Sequence, residues 1–224
     1  LLLPATAVSQ PVLNFKRVTV NWPTIELYMT VSCDGSPAYN MTKENFRILE
    51  NGVEVPEFTL WCPDPTAHCP LSVSLVADVS GSMRGAGMAG ARLNLRAWVD
   101  LIDGQFDETA LIEAGKEMRI RQPMTTDKQL LREAIDSLYA SGSSSIYDGV
   151  MEGLRHLIEK GYNQCRAVIV FTDGWDTTSG TAIAELISLA NRYRIRVFTV
   201  GVGPVIYPVV LEQIAMLTGG RYYQ

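Results

Sequence analysis

After residue 70 the chain changes period repeatedly, and that alternation restricts its fold more than any other feature. "LSVSLVADVS" (71–80), "RAVIVFTDG" (166–174) and "IRVFTVGVG" (195–203) are short, nearly continuous apolar runs rich in β-branched residues, which is how strands buried on both faces read. Between them lie helical stretches. "ARLNLRAWVDLI" repeats Leu93, Ala97 and Leu101 at helical spacing, "DKQLLREAIDSLYA" starts with Asp127, and "SIYDGVMEGLRHLIEKG" stops at Gly161. "TAIAELISLANRY" and "YPVVLEQIAMLTGG" follow, and "RYYQ" begins a last strand. "ETALIEAG" and "KEMRIRQPM" form a strand pair across Gly115. Strands that alternate with helices predict an α/β fold, a doubly wound, Rossmann-like and mostly parallel sheet over residues 71–224.

The preceding part is different. Residues 11–61 read as all-β, with alternating "VLNFKRVTVNW" and "IELYMTVSC", a turn at Asp34-Gly35-Ser36-Pro37, and an Asn51-Gly52 hairpin signal in "FRILENGVEV". "WCPDPTAHCP", with Pro63, Pro65 and Pro70, can continue neither helix nor sheet, so residues 62–70 read as a linker. Residues 1–10 form an N-terminal segment in which Leu1–Leu3 and Ala5-Thr6-Ala7 have the look of a secretory-signal tail or of an ordinary apolar segment. Asn40-Met41-Thr42 fits a short glycosylation sequon.

Composition removes several function classes. A formal net charge of −5 gives no basic face for nucleic acid. No apolar run reaches the roughly 18 residues of a membrane span. Four cysteines, Cys33, Cys62, Cys69 and Cys165, lack the close paired spacing of a zinc site, leaving disulfides in an oxidising compartment or buried thiols.

Two signals compete in "LVADVSGSMRGAGMAG" (75–90). Gly85, Gly87 and Gly90 have G-x-G-x-x-G spacing. A dinucleotide turn needs its first glycine directly after the strand, whereas here "VSGSMR" intervenes, so the glycines read as a loop or the first turn of a helix. Asp78, Ser80 and Ser82 spell D-x-S-x-S at the carboxyl end of a strand, where such sheets bind ligands. In an extended loop alternate side chains point the same way. Hard oxygen donors with few carboxylates suit Mg²⁺, while a helix cap or turn explains the same residue types.

Two further segments add to this set. "SGSSSIYDGV" is a hydroxyl-rich loop entering a helix, and "VFTDG" puts Asp173 at the end of another buried strand. In this order the three segments resemble the von Willebrand factor type A domain with its metal-ion-dependent adhesion site. The resemblance spans residues 71–224, down to the terminal "IAMLTGGRYYQ". It implies a Mg²⁺ or Mn²⁺ site in which Ser80 and Ser82 bind directly and Asp78 and Asp173 act largely through water. The third loop usually supplies a threonine; here Ser144 takes that position, with Ser143 or Ser145 as alternates of register. The resemblance implies a protein-binding, adhesion or assembly module whose cation is completed by an Asp or Glu of a partner, extracellular, at the cell surface or periplasmic, rather than an enzyme. The alternatives are a metal-assisted hydrolase and a structural subunit of an assembly. Against the hydrolase, His68 lies in the linker, and His156 is expected on a helix surface. Asp148 and Asp176 read as helix caps and solvated loop charges or as groups behind the ligands, and Trp175 as a partner contact or a loop-packing ring.

Residues 11–61 resemble, more loosely, the immunoglobulin-like β-sandwich that precedes some type A domains. Such a sandwich has about seven strands, more than this segment supplies, so an incomplete second sheet is expected, with the missing strand coming from beyond Gln224 or from a partner chain. The type A sheet order places the strands ending at Asp78 and Asp173 side by side. Cys69 and Cys165 then precede neighbouring strands about 4.8 Å apart, close to the usual disulfide Cα separation of about 5.5 Å. The expected bonds are Cys33–Cys62 and Cys69–Cys165, with Cys62–Cys69 as the rival.

Overall fold

The alternating segments at the start pair as the sequence suggests. β1 (Val12–Asn21) and β2 (Thr24–Cys33) form an antiparallel hairpin from Val12↔Ser32 to Asn21↔Thr24, with a register shift between Phe15 and Arg17. β3 (Ser36–Pro37) adds two residues to the other edge of β2. β4 (Leu49–Glu50) and β5 (Val53–Glu54) make a separate ladder across Asn51 (φ 52°) and Gly52 (φ 83°), the positive φ values a tight hairpin turn needs. The computed structural model describes residues 11–33, 36–38, 41–61 and 69–224, in two units, Leu1–His68 and Cys69–Gln224. The N-terminal segment, Asp34-Gly35, Asn40 of the sequon, Cys62 and His68 lie outside the described residues.

Among the described residues the first unit closes no sandwich: β1 pairs along one edge only, and Phe15, Val18, Val20 and Trp22 stay exposed. Cys33 is a free thiol, against the expected Cys33–Cys62 bond. It ends β2, the middle strand of a sheet whose neighbours at that point carry no cysteine.

The second unit is built on β6 (Leu71–Asp78), whose Leu75 and Ala77 enter one apolar cluster and Val76 the other. Successive side chains of a strand point to opposite faces, so this strand is covered on both. The sheet order is β11 (Tyr222–Tyr223), β10 (Arg196–Gly201), β9 (Cys165–Thr172), β6, β7 (Glu108–Ala114), β8 (Met118–Thr125). All neighbours are parallel except the β7–β8 pair, which turns at Gly115. α1 (Ala86–Leu101) and α2 (Lys128–Asp136) cover one face through Ala91, Leu95, Leu131 and Ile135. α3 (Ile146–Lys160), α4 (Ile183–Arg192) and α5 (Pro208–Leu217) cover the other through Val150, Leu154, Leu186 and Ile214. Cys69 and Cys165 are joined in a disulfide with a Cα separation of 6.1 Å, at the amino ends of the adjacent β6 and β9, where Leu71 pairs with Cys165.

Three local readings change in the structure. α1 starts at Ala86, and its buried stripe is Met88, Ala91, Leu95 and Val99, leaving Leu93 and Leu101 exposed. α2 is capped by Asp127, which accepts from Gln129 N at 2.8 Å, but it ends at Asp136 rather than running on to Ala140. The residues beyond Asp136 cross to the strand ends, and so bring the serine run to the site. His156 is buried rather than on the surface. Gly149 and Gly153 bring α3 against Val76 and the β-strands beneath, and His156 follows on that same inward face.

Burial lowers the His156 imidazole pKa, and its Nε2 has no hydrogen-bond partner. A histidine depressed in the folded state is protonated first in the unfolded chain, so stability falls as pH drops through the unfolded value of about 6.5. His156→Leu is expected to flatten the loss of urea-unfolding midpoint between neutral pH and pH 5. An unchanged slope in the variant would contradict this role.

Candidate metal centre

Three loops meet at the carboxyl ends of β6 and β9. The first leaves β6 at Asp78, makes a single 3-10 turn over Gly81–Met83 and enters α1 at Gly85. The second is the segment between α2 and α3. The third follows β9. Backbone bonds tie the first two together: Gly81 N donates to Gly142 O at 2.9 Å and Ser141 N to Val79 O at 2.6 Å. A β-carbon at Gly81 would stand 3.3 Å from Gly142 O, so this approach favours glycine.

Asp78 is the hub. It is wholly buried, and its Oδ1 accepts from Ser80 N at 2.8 Å. Its Oδ2 accepts from Thr172 Oγ1 at 2.7 Å and Ser144 Oγ at 3.3 Å. Ser80 and Ser82 place their hydroxyl oxygens 3.0 Å apart. Asp173 is also buried, and its Oδ1 accepts from Trp175 N at 3.0 Å. Burial pushes the Asp78 carboxyl above its usual range; hydrogen bonds from Thr172 and Ser80 oppose this, and the Asp173 charge adds to the rise. Among the described residues no lysine, arginine or histidine forms an ion pair with either carboxylate.

The structure thus brings Asp78, Ser80, Ser82 and Ser144 into one hydrogen-bonded set, with Asp173 near enough for its charge to act on Asp78. It also separates two of the serine alternates: Ser144 Oγ turns to Asp78, whereas Ser145 Oγ lies 2.7 Å from Thr178 Oγ1. Sequence reasoning missed Thr172, which joins Asp78 to the third loop by also accepting from Gly174 N at 2.9 Å. It missed the braces as well. Thr177 Oγ1 accepts from Ser144 N at 3.0 Å, while Thr177 N and Thr178 N both donate to Ser144 O at 3.0 Å. The run "DTTSG" directly after "TDGW" was the available signal.

Asp148 and Asp176 prove to be cross-loop braces. Asp148 accepts from Gly180 N at 3.0 Å and Thr181 N at 2.8 Å. Burial pushes its carboxyl up, but the Thr181 and Gly180 hydrogen bonds outweigh it and hold the group below its usual range. Asp176 accepts from Tyr147 N at the start of α3 at 3.3 Å and from Ser179 Oγ at 2.5 Å. The competing glycine motif forms no dinucleotide turn: Gly85 (φ 72°) precedes α1 seven residues after β6 ends, and Gly87 and Gly90 lie inside the helix.

The donor set is all oxygen, with two carboxylates and three serine hydroxyls. Such hard donors suit Mg²⁺ or Mn²⁺. Two buried carboxylates without a basic partner are costly, and a cation among the hydroxyls would neutralise them. Among the described residues no group of three His, Cys, Asp or Glu side chains converges, so any cation here depends on the serines.

Residues 72–224 match the family of the von Willebrand factor type A domain. The chain belongs to that family. Type A domains are typically modules of protein interaction and adhesion. An uncharacterized protein of Borreliella burgdorferi is 25% identical over 163 residues, covering 68% of this chain and 46% of that protein, so this chain spans about half the length of that relative. The type A protein of Catenulispora acidiphila superposes with a TM-score of 0.61 at 20% identity, over 70% of this chain and 39% of that one. Proximal thread matrix protein 1 of the mussel byssus, solved with zinc in its metal-ion-dependent adhesion site, gives 0.59 at 17% identity, over 69% of this chain and 41% of its own. At these identities the two structures establish the shared type A fold.

Proposed function

We propose that the type A domain is a Mg²⁺- or Mn²⁺-dependent protein-binding module whose cation is completed by an Asp or Glu of the partner. The observation that carries this reading is a pair of buried carboxylates with no basic side chain to balance them: Asp78, bonded to the Ser144 hydroxyl and Ser80 N, and Asp173, near enough for its charge to act on Asp78. Ser80, Ser82 and Ser144 would hold the ion directly, and Asp78 and Asp173 largely through water. The bound ion would supply a Lewis-acidic position for an external carboxylate. Ser82, the exposed member of the set, marks the side from which a partner reaches it.

The reading is binding rather than catalysis. His156 is buried in α3 and takes part in none of the contacts around Asp78. The Cys69–Cys165 disulfide supports an oxidising location, extracellular or on a cell envelope.

Mg²⁺ at 100 times its dissociation constant is expected to raise stability by about 2.7 kcal/mol, read as a rise in melting temperature that EDTA reverses. Ser80→Ala is expected to abolish the rise while the EDTA-treated variant melts close to the EDTA-treated parent. An equal melting temperature of the parent with and without Mg²⁺ would overturn the proposal.

A further inference from the structure

Beside the candidate centre stands an aromatic pair that the metal set does not use. Trp175, two residues after Asp173, meets Tyr207 edge to face, with ring centroids 4.7 Å apart at 90°. Both are held by the same aspartate. Trp175 N donates to Asp173 Oδ1, and Tyr207 N donates to Asp173 O at 2.7 Å. Gly174 (φ 89°) makes this approach possible, since a β-carbon there would stand 2.5 Å from Tyr207 O.

The pair is fixed at its base and open at its rim. Trp175 is 50% exposed, Tyr207 42% and the neighbouring Val205 61%. Among the described residues neither the indole N–H nor the Tyr207 hydroxyl makes a hydrogen bond. An edge-to-face pair on a braced backbone presents a large apolar surface with little side-chain freedom to lose, and aromatic anchors carry much of the energy of interfaces. Its hydrogen bonds to Asp173 anchor it on the loop that carries the second carboxylate of the candidate centre.

We infer that the partner presents its acidic residue next to a large apolar or aromatic residue, the acid directed at the serine cluster and its neighbour at the Trp175–Tyr207 pair. This rests on the carboxylate-completed cation proposed above and adds to it the chemistry of the residue alongside.

The test is selection of a random hexapeptide library, displayed on phage, against the full chain in Mg²⁺ with elution by EDTA. EDTA-eluted clones are expected to be enriched in Asp or Glu with Phe, Tyr, Trp, Leu or Ile adjacent. Trp175→Ala is expected to lose the apolar enrichment and keep the acidic one, and to bind synthetic peptides of the parent's clones about tenfold more weakly, the effect of losing about 1.4 kcal/mol. Trp175→Phe, which keeps an aromatic ring, is expected to restore most of the binding. Acidic enrichment with no apolar neighbour, or the same preference in Trp175→Ala, overturns this inference alone. Absence of acidic enrichment among EDTA-eluted clones overturns the carboxylate reading and this inference with it.

Discussion

Gly149→Val is expected to cost the type A domain about 3 kcal/mol of stability, at the upper end for overpacking a core. A β-carbon at Gly149 would stand 2.5 Å from Ala114 Cβ and 3.0 Å from Val76 Cγ1. Both neighbours belong to central strands and are fully buried, so neither can yield cheaply. Helix propensity pushes the other way, since a glycine inside a helix costs about 0.5–1 kcal/mol relative to alanine. The clash is the larger effect, and α3 would have to lift from the sheet. Because Ser144 lies only two residues before α3 begins at Ile146, such a lift would also move the third serine. Gly90→Ala is the internal control: a β-carbon at Gly90 meets nothing within 4 Å inside α1, so propensity acts alone and a gain of about 0.5–1 kcal/mol is expected. Urea unfolding of the two variants measures both signs. Destabilisation by both, or by neither, would contradict this account of how α3 is seated.

Removing the disulfide is the second large effect. Cys69 and Cys165 close a loop of sequence separation 96, and the loss of loop-closure entropy in the unfolded chain stabilises the fold by about 2–4 kcal/mol. The double variant Cys69→Ser/Cys165→Ser is expected to lower the melting temperature by about 5–15 °C. The bond lies at the amino ends of β6 and β9, opposite the candidate metal centre at their carboxyl ends. The folded variant is therefore expected to keep the Mg²⁺-dependent rise in melting temperature. An unchanged melting temperature would mean that the bond adds no constraint beyond the β6–β9 pairing.

The alternation of strands and helices was legible because strands buried on both faces have no polar side to confuse their period. Asp78 and Asp173 were legible for a related reason: each follows such a run, so a carboxylate there is an anomaly with a fixed place in the sheet. The face of α1 was not. Leu93, Ala97 and Leu101 are more apolar to the eye than the buried stripe, which uses Ala91 and starts at Met88 within a glycine-rich segment. Small residues face the sheet because they permit close approach, and hydrophobicity alone ranks them low. His156 was misplaced for the complementary reason: Gly149 and Gly153 draw α3 in so closely that a polar residue on that side is buried with it. The loop braces of Thr177, Thr178 and Asp176 depend on contacts between segments some thirty positions apart, which no local pattern records. In the first unit the strands and the Asn51-Gly52 turn were legible, whereas the immunoglobulin-like arrangement rests on sequence resemblance alone.

The most direct measurement is a crystal structure of the chain grown with Mn²⁺, with data collected to locate manganese by its anomalous scattering. The account predicts one strong peak among the Ser80, Ser82 and Ser144 hydroxyls, with Asp78 and Asp173 behind them, and loss of that peak in Ser80→Ala. A structure at saturating Mn²⁺ with no peak there, and with Ser80 and Ser82 still hydrogen-bonded to each other, would contradict it.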